Sequence, residues 1–173
     1  MKKSPVPFRL QFSPKDILVY ASRYPSAEDA DAMEAGRQIN KGRCTRRNLE
    51  TIFRWKTGGR GITRLQKNTD AEIADALSLA VAAKTERSSI AILIGLCGVA
   101  VPVASAILTA INPDKYTIID FRALEALGTD SKNRTIDFYL KYLDACRCLS
   151  QRHGITLREL DRALWQRSSK RHD

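Results

Sequence analysis

A chain of 173 residues, 43% of them hydrophobic, can build one buried core; this excludes wholesale disorder and makes a single domain over 1–173 the expected organisation. Lys and Arg number 29 against 19 Asp and Glu, a net charge of +10, which points to a polyanionic partner: nucleic acid first, an anionic membrane surface second. Four cysteines (Cys44, Cys97, Cys146, Cys148) form no Cys-x-x-Cys pair, and no His stands at zinc-finger spacing, so the composition predicts reduced thiols, no metal and no cofactor.

In chain order almost every segment reads as helix. The start, Met1-Lys2-Lys3-Ser4-Pro5, lacks the apolar segment and cleavage site of a signal peptide, which predicts a cytoplasmic protein, nucleoid-associated if bacterial. Ser13-Pro14-Lys15-Asp16 offers a cap with Pro in the first turn, ahead of Ile17, Leu18 and Tyr20. Ser26-Ala27-Glu28-Asp29 opens a second helix ending near Asn40 to Gly42. Arg46 to Lys56 carries Leu49, Ile52 and Phe53 at helical spacing, and Gly58-Gly59 stops it. Gly58 to Asn68 is a basic loop with room for one short turn.

Within 41–67 the charge is almost of one sign. Lys41, Arg43, Arg46, Arg47, Arg54, Lys56, Arg60, Arg64 and Lys67 face only Glu50, which suits a surface that meets phosphates. Gly58-Gly59-Arg60-Gly61 lacks the Lys-Ser/Thr of a nucleotide-binding phosphate loop.

Thr69-Asp70-Ala71-Glu72 is a capping box leading into Ile73, Leu77, Leu79 and Val81, and Thr85-Glu86-Arg87 begins a helix running to Leu96. Ile90 to Ile111 is broken by Gly95, Gly98, Pro102 and Ser105, so it reads as two short helices and not as a membrane span. Gly98 lets the chain reverse, and Pro102 suits the first turn of the helix that starts near Val101. The leading amides of that helix lack intrahelical partners and form a phosphate-accepting edge.

After the short β-branched cluster Tyr116 to Ile119, Asp120 precedes a helix that reaches Leu127 and stops at Gly128. Helices over 133–168 close the chain. Arg134 to Arg152 places Phe138, Tyr142, Cys146 and Leu149 near one face, Gly154 breaks it, and Thr156-Leu157-Arg158-Glu159 is a second capping box before Leu160 and Leu164. A second basic run (Arg158, Arg162, Arg167, Lys170, Arg171) is diluted by Glu159 and Asp161. Tyr139, Tyr142 and Trp165 admit a base-binding reading, but aromatics at helical spacing predict core. His153 and His172 make no triad or metal cluster. The fold class is all-α, a compact helical domain with a hairpin over about 86–111.

Leu96-Cys97-Gly98-Val99-Ala100-Val101-Pro102-Val103-Ala104, followed by Ile118-Ile119-Asp120-Phe121-Arg122, resembles the helix-hairpin-helix DNA glycosylase superfamily of the endonuclease III and adenine-glycosylase type. That family shows Leu-Pro-Gly-Val-Gly-x-x-x-Ala, with its catalytic Asp eighteen residues after the Lys-or-Ser position; here 18 positions separate Pro102 from Asp120. The resemblance covers about 85–128. It implies a base-excision enzyme acting on double-stranded DNA with a damaged or modified base, and no membrane partner. It further implies Asp120 as catalytic acid, Gly98, Val99, Ala100 and Val101 as the backbone-gripping turn, and Arg54, Trp55 and Lys56 as DNA contacts; Arg60, in the flexible glycine loop, is expected to touch the DNA backbone. Arg54, Trp55 or Lys56 would fill the gap left by a flipped base.

Three departures shape the expectation. Ala100 replaces the second hairpin glycine, Pro102 stands where bifunctional members place a Schiff-base lysine, and the iron–sulfur cysteine pattern is missing. A monofunctional glycosylase that leaves an abasic site is therefore expected. The competing reading is a catalytically inactive DNA-binding module in which Asp120 is only a helix cap.

Overall fold

The computed structural model describes residues 8–129 and 132–169, so the Met1–Pro5 start and Lys170, Arg171 and His172 lie outside the described residues. Among the described residues all regular secondary structure is helical and there is no strand. The Tyr116–Ile119 cluster runs as an extended link, as its shortness predicts.

Local signals set the element ends. Ser13 accepts from the Lys15 amide at 3.3 Å and starts a 3-10 turn that continues into α1 (Ile17–Ser22). A second 3-10 turn, Ser26–Asp29, leads into α2 (Ala30–Asn40). Thr45 caps α3 (Arg46–Thr57), which ends at Gly58 in the left-handed conformation. The basic loop holds one short turn, α4 (Ile62–Leu65).

The predicted capping box of Thr69 and Glu72 opens α5 (Asp70–Ala82), both reciprocal bonds being made. Thr85 caps α6 (Glu86–Ile94), which stops two residues short of the predicted Leu96 because Gly95 and Leu96 turn back onto Ile92 and Leu93. Then follow α7 (Val101–Ile111), α8 (Phe121–Ala126), α9 (Ile136–His153) and α10 (Leu157–Ser169). Thr156 and Glu159 make the second capping box at the start of α10.

Helix α7 is the centre of the fold. Every residue of it except Pro102 is buried, which is what a helix apolar on all sides requires. It packs against α2, α3 and α6. Gly36 on α2 makes the α2–α7 approach possible: a Cβ there would stand 2.0 Å from the Ala110 carbonyl oxygen, so any side chain would force the helices apart. One continuous apolar core gathers Ile39, Leu49, Phe53, Leu77, Leu93, Ile107, Leu124 and Leu143 from seven different helices.

At the other end of the molecule α10 packs between α1 and α8. Tyr139 and Tyr142 are fully buried, so they are core, as aromatic residues at helical spacing predict. No helix among the described residues is long and apolar enough to cross a membrane.

Candidate functional site

The extended link before Asp120 is held from two sides. The Tyr139 hydroxyl donates to the Thr117 carbonyl at 3.1 Å and the Tyr142 hydroxyl to the Ile118 carbonyl at 2.8 Å, both from α9. From α7, Ser105 Oγ accepts the Ile119 amide at 3.2 Å. Burial raises the Tyr142 phenol well above its ordinary range, so it stays a neutral donor to that carbonyl. These three bonds satisfy the backbone of a segment with no ladder of its own, and they fix where Asp120 emerges.

Asp120 then does two things. Its Oδ1 accepts the Ala123 amide at 2.9 Å and caps α8. Its Oδ2 lies 3.3 Å from Lys56 Nζ, with the two side chains 20% and 15% exposed. Both residues border a cavity of about 220 Å³, whose other walls are Tyr24, Pro25, Glu28, Trp55, Ile118, Arg158, Asp161 and Trp165. Three carboxylates (Glu28, Asp120 and Asp161), a lysine and an arginine thus border an enclosure walled by two indoles and a phenol.

Cations hold the aromatic walls in place. The Arg158 guanidinium lies 5.4 Å from the Tyr24 ring centroid and 5.5 Å from that of Trp55. Arg122 sits 4.5 Å from the Trp165 ring, and Tyr24 meets Trp165 edge-on at 5.4 Å. Behind these rings Arg158 donates to Asp29 and to Asp161, and Arg162 donates to Asp29 at 3.2 Å. Asp29 and Asp161 are buried.

Burial pushes the Asp161 carboxyl up to about 6 against the pull of Arg158, and the neighbouring Asp120 charge adds to the rise. Burial alone would lower the Arg158 guanidinium, but Asp161 and Asp29 hold it above its ordinary value. The pair therefore remains charged near pH 7 and becomes half neutral as Asp161 titrates.

The α6–α7 turn is a separate piece of geometry. Gly98 sits at φ +82°, and a Cβ there would stand 2.9 Å from the Leu65 amide nitrogen, so glycine is required both for conformation and for contact with α4. Asn68 grips the turn from the loop between α4 and α5: its Oδ1 accepts the Cys97 amide at 2.8 Å and its Nδ2 donates to the Cys97 carbonyl at 3.0 Å. The turn is thereby fastened to the basic segment that carries Arg60, Arg64 and Lys67, all exposed.

The Val99 amide donates inward to Leu96, and Val99 and Val101 are buried. The amides of Gly98, Ala100 and Val101 find no protein acceptor among the described residues. The usable edge is thus narrower than the sequence suggested.

The other expected DNA contacts divide. Arg54 and Arg60 are exposed, Arg54 lying 3.8 Å from Glu50 and Arg60 donating to the Thr57 carbonyl at 3.1 Å. Trp55 and Lys56 instead turn into the cavity, so Trp55 is a wall where the sequence offered it as a plug. Of the second basic run, Arg158 and Arg162 point inward to Asp29.

Tyr24, Glu28, Arg158 and Asp161 were not foreseen as site residues. Their partners lie across the chain, and only the apolar-face position of Asp161, one residue after Leu160, hinted at its burial. A larger surface groove of about 760 Å³ lies among α2, α3 and α5, but its charged groups (Asp31, Glu34, Arg43, Arg47) are all exposed. Among the described residues no group of His, Cys, Asp and Glu could hold a metal ion. No protein-family model, no curated protein and no solved structure matches the chain.

Proposed function

We propose that the protein is a DNA glycosylase that receives a damaged or modified base in the 220 Å³ cavity and cleaves its N-glycosidic bond at Asp120. One observation supports this reading: the oxygen of Asp120 that does not cap α8 pairs with Lys56 at the border of an aromatic-walled cavity. A base inside duplex DNA is out of reach of any carboxylate, so the chemistry requires an extruded nucleotide and a pocket to hold it. Flat rings such as Trp55, Tyr24 and Trp165 suit a base face, each stacked base contributing about 1–3 kcal/mol in single-strand binding sites. Arg158 Nε, buried with no acceptor among the described residues, is a donor at the cavity wall for a base carbonyl or ring nitrogen.

As the base departs, positive charge develops on the sugar. The Asp120 carboxylate would stabilise that charge and take the proton of the attacking water. The exposed Lys and Arg side chains of 41–67, with the amides of the α6–α7 turn, would hold the phosphates on either side. Neutralising about five phosphates gives a log–log salt slope near −4.5.

The test is a panel of duplexes, each with one modified base, incubated with the protein and treated with alkali to reveal abasic sites. Excision of at least one base above background supports the reading. Salt-dependent binding with no excision from any duplex supports the other reading, an inactive DNA-binding module. The Asp120–Ala123 cap is the observation that favours that second reading.

A further inference from the structure

We infer that Asp161 and Arg158 read the edge of the base and select one with a ring N–H beside a carbonyl. This is the lactam edge left when water has replaced an amino group by oxygen, as in uracil or hypoxanthine. The inference rests on the proposed entry of a base into the 220 Å³ cavity, and not on its excision there.

Both side chains come from one face of α10, three residues apart, and both border the cavity. Arg158 commits one terminal nitrogen to Asp161 and the other to Asp29. Its Nε is left buried with no acceptor among the described residues. A buried donor without an acceptor costs folding free energy and is rare, so it calls for an acceptor from outside the protein. Among the described residues Thr117, Arg122, Arg162 and Arg167 also carry such an atom, and none of the four borders this cavity.

Asp161 supplies the complementary group. Its side chain is 7% exposed, and Arg158 takes Oδ2, which leaves Oδ1 without a donor among the described residues. Burial pushes the carboxyl up to about 6, so at neutral pH it is still mainly ionised and can only accept. Since Arg158 is tied to Asp29 as well as to Asp161, the donor and the acceptor are held at a fixed spacing.

A base whose glycosidic bond lies at Asp120 has its far edge left for α10. A lactam places its carbonyl oxygen on Arg158 Nε and its N–H on Asp161. Cytosine and adenine carry the reverse pair: their amino group meets the guanidinium donor to donor, and their ring-nitrogen lone pair meets the carboxylate. Hydrogen bonds to ionised groups are the strong ones, and a mismatched edge leaves both buried groups unpaired. Guanine and thymine also present a lactam, but in intact duplex they keep the pairing and stacking that must break before a base leaves the helix. Uracil opposite guanine and hypoxanthine opposite thymine have lost part of that protection.

The experiment measures binding of the full chain to duplexes in which one test nucleotide stands opposite a tetrahydrofuran, so that no base pair has to be opened. The test bases are uracil, hypoxanthine, cytosine, adenine and N3-methyluracil, which keeps the carbonyls of uracil and loses its N–H. Each is carried on a 2′-fluoro sugar, which resists glycosidic cleavage, and the same bases on ordinary deoxyribose are scored for excision. Fluorescence reads the cavity directly, because Trp55 and Trp165 are the two tryptophans of the chain and both border it.

Uracil and hypoxanthine should bind about 10- to 100-fold more tightly than cytosine, adenine and N3-methyluracil. Asp161→Asn, whose amide both donates and accepts, should reduce the uracil-to-cytosine ratio by a similar factor. Equal affinity for uracil and N3-methyluracil overturns the inference, and that comparison decides even if the variant does not fold. A uracil preference that survives undiminished in folded Asp161→Asn overturns it as well. Preference for uracil in binding, with no base excised, upholds the inference while removing the glycosylase reading. Excision that takes cytosine as readily as uracil does the reverse. Absence of all duplex binding overturns both.

Discussion

Two regions of this molecule are rich in arginine and lysine, and they use them in opposite ways. Around α10 the cations are spent inside the protein: Arg158 and Arg162 converge on buried Asp29, and Arg158 also holds Asp161. Along 41–67 most of the cations are exposed, Arg47, Arg60, Arg64 and Lys67 among them, while Lys56 turns into the cavity. The first set is architecture, since it fixes the rings that wall the cavity. The second set is available to a polyanion. Charge counted along the sequence does not separate them, and burial does.

The contrast is broken most severely by removing the carboxylate on which the inner set depends. Asp29→Ala takes the buried carboxylate from Arg162 and one of two from Arg158, which keeps Asp161, and breaking such a cluster typically costs about 3–5 kcal/mol. Urea unfolding should show a loss of that size; a loss under 1 kcal/mol would mean that the cluster does not hold the wall.

The next effect is a pH dependence. The Asp161 carboxyl titrates at about 6 in the folded protein against 3.8 for an ordinary Asp. The folded state therefore binds the proton more tightly, so this group's contribution to stability is fully present below pH 4 and is lost as pH rises through 6. Relative to Asp161→Asn, the unmodified protein should lose about 2 kcal/mol between pH 4 and 7. Parallel stability curves for the two proteins would contradict the assignment.

Smaller again is the cap on α8. Asp120→Ala should cost about 1 kcal/mol, whereas Asp120→Asn keeps a good capping residue and should cost a few tenths. Thermal unfolding of the two variants separates the structural role of Asp120 from its cavity-facing one. The outer set should barely affect stability: Arg60→Gln and Lys67→Gln are expected within about 0.5 kcal/mol of the parent. Each should lower the salt slope of duplex binding by about 0.9 if its side chain contacts a phosphate. A stability loss comparable to that of Asp29→Ala would erase the distinction between the two regions.

What could be read in the sequence follows from the range of each interaction. Thr69 with Glu72, Thr156 with Glu159, and Asp120 with Ala123 are contacts over three residues, and their side-chain types announce the helix starts. Gly58 and Gly154 announce the stops equally locally. The cavity is different. Asp29 and Arg158 are 129 residues apart, and Lys56 and Asp120 are 64 apart.

Nothing in the neighbourhood of Arg158 or Arg162 distinguishes a buried guanidinium from a solvated one, so the C-terminal basic run gave no sign of its inward ion pairs. Trp55 illustrates the same point: it lies at the end of an amphipathic helix, where a wall and an exposed plug have the same sequence signature. Asp120 was legible as a helix cap because that signal is local.

The central claim is that Asp120 serves the cavity and not only the helix. Single-turnover excision by the Asp120→Asn protein, on a duplex that the unmodified protein cleaves, tests it most directly. The account predicts a folded variant that binds the duplex with unchanged affinity and excises no base. Full excision by that variant would contradict it.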